Sequence, residues 1–206
     1  MATLEPTVFI VDDDDAVARG LRWLLETVHL PVQTYVSARE FLDTFDPSRP
    51  GCVLLDVRMP GMSGLELQQR LAARGGYHLP LIFVTGHGDV QMAVRTVQAG
   101  AFDFIEKPFN DQDLLERVQR AIACDAAERE REDQRRHLRD RFDALTPRER
   151  ALLVLRHGLD GGAPRTLQQV GAALGISGER TRQLEARALD QLRAHPLVAA
   201  LRDAIE

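Results

Sequence analysis

The fold of this chain is decided near its start by the stretch Val8-Phe9-Ile10-Val11-Asp12-Asp13-Asp14-Asp15. Four successive apolar residues without polar alternation predict a short strand that is buried on both faces, as strands of a parallel sheet are. The four carboxylates then predict the loop at the carboxyl end of this strand. Taken alone, such an acidic run is also compatible with a solvated turn that caps the following helix. The residues that follow the other strands separate these two interpretations.

Similar apolar runs recur along the first 123 residues, and helix-forming stretches separate them. The further runs are residues 32–36, 53–55, 81–84 and 102–105. The helical stretches are residues 16–28, 38–45, 64–73, 90–99 and one that begins near residue 111. This alternation of five strands with five helices predicts an α/β fold with a doubly wound parallel sheet.

Polar residues stand at the ends of the later strands as well. Asp56 follows the third apolar run, Thr85 closes the fourth, and Lys107 follows the fifth. The predicted fold brings these residues to one edge of the sheet together with Asp12 and Asp13, where ligands of such folds bind. Crowded carboxylates require a cation, and oxygen ligands favour Mg²⁺. The solvated turn is therefore the weaker interpretation of the acidic run.

Lys107 is unusual in this composition. It is the only lysine among 26 basic residues, and the others are arginine. A lysine in so arginine-rich a chain indicates a position that needs the compact, mobile charge of an ammonium group. The planar guanidinium of arginine would not serve there. At the predicted edge, Lys107 can follow an incoming phosphoryl group, and the Thr85 hydroxyl can donate to it. The chance survival of one lysine is the alternative.

These residues resemble the receiver domain of two-component response regulators. The resemblance is carried by four motifs in order, Asp12-Asp13, Asp56-Val57-Arg58-Met59-Pro60-Gly61-Met62-Ser63-Gly64, Thr85-Gly86-His87-Gly88 and Lys107-Pro108-Phe109. It implies that Asp56 accepts a phosphoryl group from a cognate histidine kinase. It also implies that Asp13, Asp56 and the backbone carbonyl of Arg58 ligate Mg²⁺, with Asp12 contributing through water.

Thr85 and Phe104 are the predicted switch residues. Movement of Thr85 towards a phosphoryl group leaves room for the side chain at position 104 to turn inward. Members of the family often carry tyrosine there, whereas this chain has Phe104. Because phenylalanine lacks the hydroxyl of tyrosine, a switch at this position works by side-chain packing alone. An ordinary core position is an equal alternative for Phe104.

Residues 124–143 predict a helical linker between two domains. Residues 114–141 contain no glycine or proline, and charges of alternating sign dominate from Glu128 to Arg136. This pattern indicates that the last receiver helix continues as one exposed, salt-bridged rod. A coiled-coil dimer is the alternative, but apolar heptad positions are missing between Ala127 and Leu138.

Residues 144–206 predict a small all-α domain. Thr146 and Glu149 open a helix in the manner of a capping box, and Thr166 caps a second, shorter helix. Gly175 ends that helix and Ser177 caps the next one, which continues to about residue 192. Two helices joined by so short a turn indicate a DNA-binding helix-turn-helix.

The last predicted helix presents a polar face that suits a major groove. Glu179 can accept a hydrogen bond from cytosine, Arg182 can pair with guanine, and Gln183 can pair with adenine. A plain solvated helix face is the alternative. The predicted DNA contacts are Ser177, Glu179, Arg180, Arg182, Gln183 and Arg187.

This domain resembles region 4 of the housekeeping, sigma-70-type sigma factors. The matching residues are Leu145-Thr146-Pro147-Arg148-Glu149-Arg150, Arg156-His157-Gly158-Leu159-Asp160, Arg165-Thr166-Leu167-Gln168-Gln169-Val170-Gly171, Leu174-Gly175-Ile176-Ser177 and Glu179-Arg180-Thr181-Arg182-Gln183-Leu184-Glu185-Ala186-Arg187-Ala188-Leu189. The resemblance implies binding to the −35 promoter element and to the flap of RNA polymerase. The four-helix output domain of other response regulators is the second-ranked resemblance for these residues. Gly178 departs from the arginine usual in the family, which removes an expected contact.

Charge and composition narrow the class of protein further. The first 123 residues carry 11 basic and 17 acidic side chains, whereas the last 63 carry 9 and 7. Nucleic-acid contact is therefore expected in the last third of the chain. Two cysteines without metal-ligand spacing, and no signal segment or apolar span of about 20 residues, predict a cytoplasmic protein without membrane contact.

Together these patterns predict a DNA-binding response regulator whose enzymology is limited to slow loss of its own phosphoryl group. We expect phosphorylation to promote a homodimer through the receiver's fourth helix, fifth strand and fifth helix, and to alter engagement of promoter DNA and RNA polymerase. The alternative is an interaction switch that mimics sigma region 4 to bind RNA polymerase or an anti-sigma factor, with little DNA binding. A phosphatase is disfavoured because Asp56-Val57-Arg58 lacks a second aspartate.

Overall fold

The computed structural model describes residues 5–73, 79–86 and 95–192. The chain forms two compact units, residues 1–128 and 129–206. No helix within the described ranges is long and apolar enough to cross a membrane.

The first unit is built on a five-stranded parallel sheet. Its strands are β1 (Thr7–Val11), β2 (Val32–Tyr35), β3 (Gly51–Leu55), β4 (Leu81–Thr85) and β5 (Asp103–Glu106), in the order β2-β1-β3-β4-β5. Every residue of β1, β3 and β4 is buried, which explains their unbroken apolar sequences. The doubly wound α/β fold is confirmed. β5 begins and ends one residue later than the sequence pattern predicts.

Helices cover both faces of this sheet. They are α1 (Asp15–Thr27), α2 (Ala38–Thr44), α3 (Gly64–Ala73) and α4 (Asp111–Ala144). Residues 95–98, between β4 and β5, are also helical. They belong to the helix predicted at 90–99, of which residues 90–94 lie outside the described part of the chain.

Alternate residues of the central strands contribute to two separate cores. On one face Phe9 belongs to a cluster with Phe41 of α2 and Leu67 of α3. On the other face Ile10 belongs to a cluster with Leu21 of α1 and Leu114 of α4. Close packing on both faces restricts the strands, so the residues that follow them are held in defined positions.

The central strand β3 begins with a glycine that the structure requires. Gly51 has a φ of +144°, and a Cβ at this position would lie 1.8 Å from the carbonyl oxygen of Thr7. The Gly51 N–H donates to Asp125 Oδ2 at 2.8 Å, and Asp125 is 1% exposed. A buried carboxylate of α4 is thereby bonded to the start of the strand whose far end is followed by Asp56.

α4 continues without interruption from Asp111 to Ala144, which confirms the predicted long helix. Exposed ion pairs lie along it, between Arg135 and Glu132 and between Arg136 and Asp133. Exposed pairs of this kind contribute only about 0.3–0.5 kcal/mol each to stability. They keep the helix surface polar more than they stabilise the helix. The division between the two units falls inside this helix, after residue 128. The domain limits at residues 123 and 143 stay a prediction.

Helices joined by turns make up the described residues of the second unit. α5 (Pro147–His157), α6 (Leu167–Leu174) and α7 (Gly178–Leu192) surround a core of Leu145, Leu152, Leu153, Val170, Ala188 and Leu192. Thr146 and Thr166 are the N-caps of α5 and α6, as predicted, and both belong to capping boxes.

The turn between α6 and α7 depends on close backbone approach. Gly175 ends α6 in the left-handed conformation, with a φ of +67°. A Cβ on Gly171 would lie 2.8 Å from both the carbonyl oxygen of Ile176 and the hydroxyl of Thr181. Thr181 is completely buried, and its hydroxyl donates to the Ser177 carbonyl at 3.0 Å. These contacts produce the predicted helix-turn-helix.

Glu149 gives α5 a cap that depends on pH. Glu149 is 2% exposed, and its Oε2 accepts from the Thr146 hydroxyl at 2.7 Å and from the Thr146 N–H at 3.0 Å. These hydrogen bonds, more than the charge of Arg187, hold the pKa of Glu149 below its usual range. A carboxyl group with a lowered folded-state pKa stabilises the fold above its unfolded-state pKa, and this contribution is lost as pH falls through the folded-state value.

Glu149→Gln should therefore destabilise the second unit near neutral pH but not below the lowered pKa. Glutamine retains the capping box, as Gln169 does in α6. The loss should stay smaller than that of Glu149→Ala, which removes the box at a cost of about 1 kcal/mol. Urea denaturation followed by circular dichroism across the acidic range measures both variants. Equal losses for Glu149→Gln at acidic and neutral pH would contradict the assignment.

Candidate functional site at the acidic edge of the sheet

Three strands deliver polar residues to one edge of the first unit. Asp12 follows β1, Asp56 follows β3, and Lys107 follows β5. The Asp56 N–H donates to the Val11 carbonyl at 2.9 Å, and the Lys107 N–H donates to the Thr85 carbonyl at 2.8 Å. Hydrogen bonding between neighbouring strands therefore extends one residue past the ends of β3 and β5. The backbone of these site residues is held by the sheet itself.

Lys107 lies between two carboxylates. Its Nζ is 3.1 Å from Asp12 Oδ2 and 3.7 Å from Asp56 Oδ1. The exposed fractions of the three side chains are 22% for Lys107, 4% for Asp12 and 11% for Asp56. Water screens charges in such a place less than it does on an open surface. The structure thus brings together three of the residues that the sequence analysis selected.

The other oxygen of Asp56 is held by the loop that follows β3. Asp56 Oδ2 accepts from the Arg58 N–H at 2.7 Å. Gly64 keeps this loop compact, because its N–H donates to the Val57 carbonyl at 3.0 Å. A Cβ on Gly64 would lie 2.2 Å from the carbonyl oxygen of Asp56. The carboxylate is consequently oriented from two sides, by backbone at Oδ2 and by Lys107 at Oδ1.

The edge retains an excess of negative charge. Burial raises the pKa of Asp56, and the charges of Asp12 and Asp13 act in the same direction. The hydrogen bond from the Arg58 N–H and the charge of Lys107 lower this pKa but do not cancel the rise. A carboxylate in such surroundings favours a further cation nearby.

The predicted Mg²⁺ ligands are only partly brought together. Among the described residues, no group of three acidic, histidine or cysteine side chains is arranged to hold a metal ion. Asp12 Oδ1 accepts from the Asp14 N–H at 2.9 Å, its Oδ2 accepts from Lys107, and Asp13 is exposed. The oxygen donors still suit Mg²⁺, and the raised pKa of Asp56 agrees with a cation site. The metal ligands stay a prediction.

The two predicted switch residues lie on neighbouring strands. Thr85 is 1% exposed at the end of β4, and Phe104 is half-buried in β5 against the core that contains Phe9. In the ladder Phe104 pairs with Phe83, and Thr85 pairs with Glu106. Partial burial of Phe104 suits both a core residue and a mobile one. His87 and Gly88 of the same motif lie outside the described residues.

The predicted DNA contacts are all exposed, and several of them bond to one another. Ser177 Oγ accepts from the Arg180 N–H at 3.3 Å and so caps α7. Glu179 accepts from Arg182 Nη2 at 2.9 Å and from Gln183 Nε2 at 3.2 Å. Exposed pairs of this kind are weak, so their exchange for contacts with DNA costs little.

Arg187 and its neighbours complete the exposed face of α7. Arg187 Nε lies 3.7 Å from Glu149 Oε1, and the arginine side chain is 72% exposed. An open groove on this helix is lined by Arg182, Gln183, Ala186, Arg187, Asp190 and Gln191. The chemical groups fit nucleic acid, but the contacts themselves stay a prediction.

Two residues of the first unit add to the sequence predictions. Asp14 caps α1 by accepting from the Ala16 N–H at 2.9 Å, and its own N–H holds Asp12. The acidic run therefore also caps the following helix, which is the alternative interpretation given for it above. Gln68, which is buried in α3 and bonds to the segment before β5, was not predicted. Its spacing of three residues from both Leu65 and Leu71 is the helical signal that could have found it.

Comparison with known proteins agrees with the fold and with the site. Residues 8–119 match the family described as response regulator receiver domain, and residues 141–194 match sigma-70, region 4. The fold and the acidic edge thus define a response regulator with a sigma-like output domain.

Relatives extend over nearly the whole chain. Nodulation protein W of Bradyrhizobium diazoefficiens is 39% identical over 202 residues, which cover 98% of this chain and 86% of that protein. Transcriptional regulatory protein FixJ of Azorhizobium caulinodans is 40% identical over 198 residues, 96% of this chain and 91% of that protein. The structure of response regulator StyR matches with a TM-score of 0.75 at 36% identity, covering 97% of this chain and 99% of that one.

The chain belongs to the transcriptional response regulators of the type of FixJ and nodulation protein W. Two of its relatives, FixJ of Azorhizobium caulinodans and TdiR of Thauera aromatica, are named transcriptional regulatory proteins. The alternative of an interaction switch with little DNA binding is not favoured by these relationships.

Proposed function

We propose that this protein is a cytoplasmic response regulator in which phosphorylation of Asp56 by a cognate histidine kinase controls binding of the second unit to promoter DNA. The observation that carries the proposal is the setting of Asp56. One of its oxygens accepts the Arg58 N–H, and the other lies 3.7 Å from the only lysine of the chain. A carboxylate oriented in this way is a competent nucleophile towards phosphorus once positive charge screens it.

The residues of the edge have distinct parts in the transfer. The phosphorus–nitrogen bond of a kinase phosphohistidine breaks as a bond forms between phosphorus and an Asp56 oxygen, and the imidazole leaves. Asp12 holds Lys107 beside the acceptor, so that the ammonium follows the new charge. The Thr85 hydroxyl donates to a phosphoryl oxygen.

Mg²⁺ is the proposed cofactor. Asp13, Asp56 and the carbonyl of Arg58 would hold it, with Asp12 acting through water. When bound, the ion neutralises the carboxylates and the incoming phosphoryl oxygens. The raised pKa of Asp56 supports this part of the proposal, since burial first, and then the charges of Asp12 and Asp13, disfavour the charged carboxylate that a nearby cation would stabilise.

Phosphorylation would act through Thr85 and Phe104 on the predicted fourth helix and β5. A dimer then forms through that helix, β5 and the first part of α4. Two linked DNA-binding units bind more tightly than one, because the second contact is intramolecular. The proposed DNA contacts are Ser177, Glu179, Arg180, Arg182, Gln183 and Arg187. RNA polymerase is a further proposed partner.

Beryllofluoride, which mimics an aspartyl phosphate, tests the proposal on the full-length protein. Together with Mg²⁺ it should convert monomer to dimer in light scattering. It should also raise affinity at least about tenfold for a DNA duplex selected from a random library. Mg²⁺ alone should raise the melting temperature, because a ligand that binds only the folded state stabilises it.

Beryllofluoride without Mg²⁺ is the matched control and should have little effect. Occupancy of Asp56 by beryllofluoride, seen by fluorine NMR, with no change in dimer fraction or in DNA affinity would refute the proposed output. Failure of beryllofluoride to bind in the presence of Mg²⁺ would refute the proposed acceptor site.

A further inference from the structure

Gln68 is a buried polar residue that bonds to the far end of the predicted fourth helix. It lies in α3 and is 4% exposed. Its Nε2 donates to the Ala99 carbonyl at 3.0 Å and to the Thr96 carbonyl at 3.4 Å. One side chain of α3 therefore supplies donors to two backbone carbonyls of the segment that leads into β5.

The segment that Gln68 contacts is the end of a helix. The Gly100 N–H donates to the Val97 carbonyl at 2.9 Å, and the Ala101 N–H donates to the Thr96 carbonyl at 3.0 Å. Gly100 adopts a φ of +92°, as residues that end helices often do. The last carbonyls of a helix have no partners within it, so they require donors from elsewhere. Gln68 provides one to the Ala99 carbonyl and makes a second, longer bond to the Thr96 carbonyl, which already accepts from the Ala101 N–H.

The arrangement leaves the other end of the Gln68 amide without a bond. Both neighbours of Nε2 are carbonyl oxygens, which accept only, so the NH₂ group has to face them. Within the described residues, the buried Gln68 Oε1 has no hydrogen-bond partner. An unmade bond at a buried acceptor opposes the two bonds that the amide makes. The Gln68 amide therefore stabilises this contact less than it would if Oε1 were also bonded.

α3 connects this contact to the phosphoacceptor. The helix starts at Gly64, which packs so closely on Asp56 that a Cβ would lie 2.2 Å from the Asp56 carbonyl oxygen. Gln68 follows Gly64 by one helical turn, about 6 Å along the axis. A single turn of helix therefore separates Gln68 from the close contact between Gly64 and Asp56.

We propose that Gln68 is a positioning residue that latches the helical turn 95–98 onto α3 in the unphosphorylated protein, and that phosphorylation opens this latch. The inference rests on the proposed function and specifies how Asp56 controls the predicted fourth helix. When the latch opens, water reaches the Gln68 amide. A hydrogen bond from water to Oε1 then offsets the two hydrogen bonds that Nε2 loses.

The first test follows the latch in the wild-type, full-length protein. The two side-chain amide protons of Gln68 report directly whether Nε2 is bonded to the Ala99 and Thr96 carbonyls, because a bonded and buried amide exchanges slowly with water. Beryllofluoride with Mg²⁺ should speed exchange of these protons at least about fivefold. Unchanged exchange of these protons, in protein that dimerises on beryllofluoride, overturns the latch and leaves the proposed function intact. Protein that does not respond to beryllofluoride in any assay overturns the proposed function, and the latch with it.

The second test opens the latch by substitution. Gln68→Glu places carboxylate oxygens against the Ala99 and Thr96 carbonyls, where they repel instead of donating. Without beryllofluoride, this variant should bind the selected DNA duplex at least about fivefold more tightly than wild type. A merely structural defect would lower DNA affinity, so the gain distinguishes a latch from a packing role.

Gln69→Glu is the matched control, since it makes the same change at the exposed neighbouring position of α3. It should behave as wild type. Folded Gln68→Glu protein with wild-type DNA affinity contradicts the proposal. If Gln68→Glu does not fold, the exchange measurement on wild type decides alone.

Discussion

Asp56→Asn should reduce phosphoryl uptake by at least about a thousandfold and hold promoter affinity and dimer fraction at their unphosphorylated values. Asparagine keeps the shape of the side chain, and its oxygen can accept the Arg58 N–H as Asp56 Oδ2 does at 2.7 Å. An amide is not a nucleophile towards phosphorus, so the variant removes the acceptor and little else. Electrophoresis that resolves phosphorylated protein, after incubation with phosphoramidate and Mg²⁺, measures the uptake.

This variant should fold at least as well as the wild type. Burial raises the pKa of Asp56, so the folded state holds the charged form at a cost. That cost is absent below the ordinary pKa of aspartate, grows as pH rises from there to the raised value, and is complete above it. In metal-free buffer near neutral pH, Asp56→Asn should therefore raise the melting temperature. Asp43→Asn makes the same change at an exposed position of α2 and should keep full uptake. Wild-type uptake by Asp56→Asn protein would mean that another residue is the acceptor.

The acidic edge could be predicted because periodicity and topology act together. Unalternating apolar runs mark strands buried on both faces, and parallel order collects their carboxyl ends. Asp12, Asp56 and Lys107 each follow a strand directly, so sequence position alone places them together. The distances from Lys107 Nζ to both carboxylates agree with that placement. The chemical parts assigned to these residues stay predictions.

Contacts between distant segments could not be predicted in this way. Asp125 bonds to Gly51 across 74 residues, and no local pattern links a carboxylate of the linker to the start of β3. Helical spacing places Gln68 on the apolar face of α3, but only the tertiary structure shows that its partners are Thr96 and Ala99. By contrast, the bonds of Glu179 to Arg182 and Gln183 span three and four residues of α7, a spacing that the sequence does show.

Lys107→Arg should separate phosphorylation from output. The substitution keeps a positive charge beside Asp12 and Asp56, so phosphoryl uptake should stay within about threefold of wild type. Promoter affinity of the phosphorylated variant should fall at least about tenfold below that of phosphorylated wild type. Uptake is measured with phosphoramidate, and affinity by fluorescence anisotropy with the selected duplex.

The expected loss follows from the shape of the cation. Lys107 Nζ is a single point within 3.1 and 3.7 Å of two carboxylates in a space that leaves 22% of the side chain exposed. A guanidinium at this position forms two parallel hydrogen bonds with one carboxylate. It therefore does not move towards a phosphoryl group when one arrives on Asp56. Lys107→Gln tests the charge itself and should lose uptake as well as output. Arg39→Lys exchanges the same two residue types at an exposed position of α2 and should change neither. A normal promoter response from Lys107→Arg would show that the only lysine of the chain is not required for its chemistry.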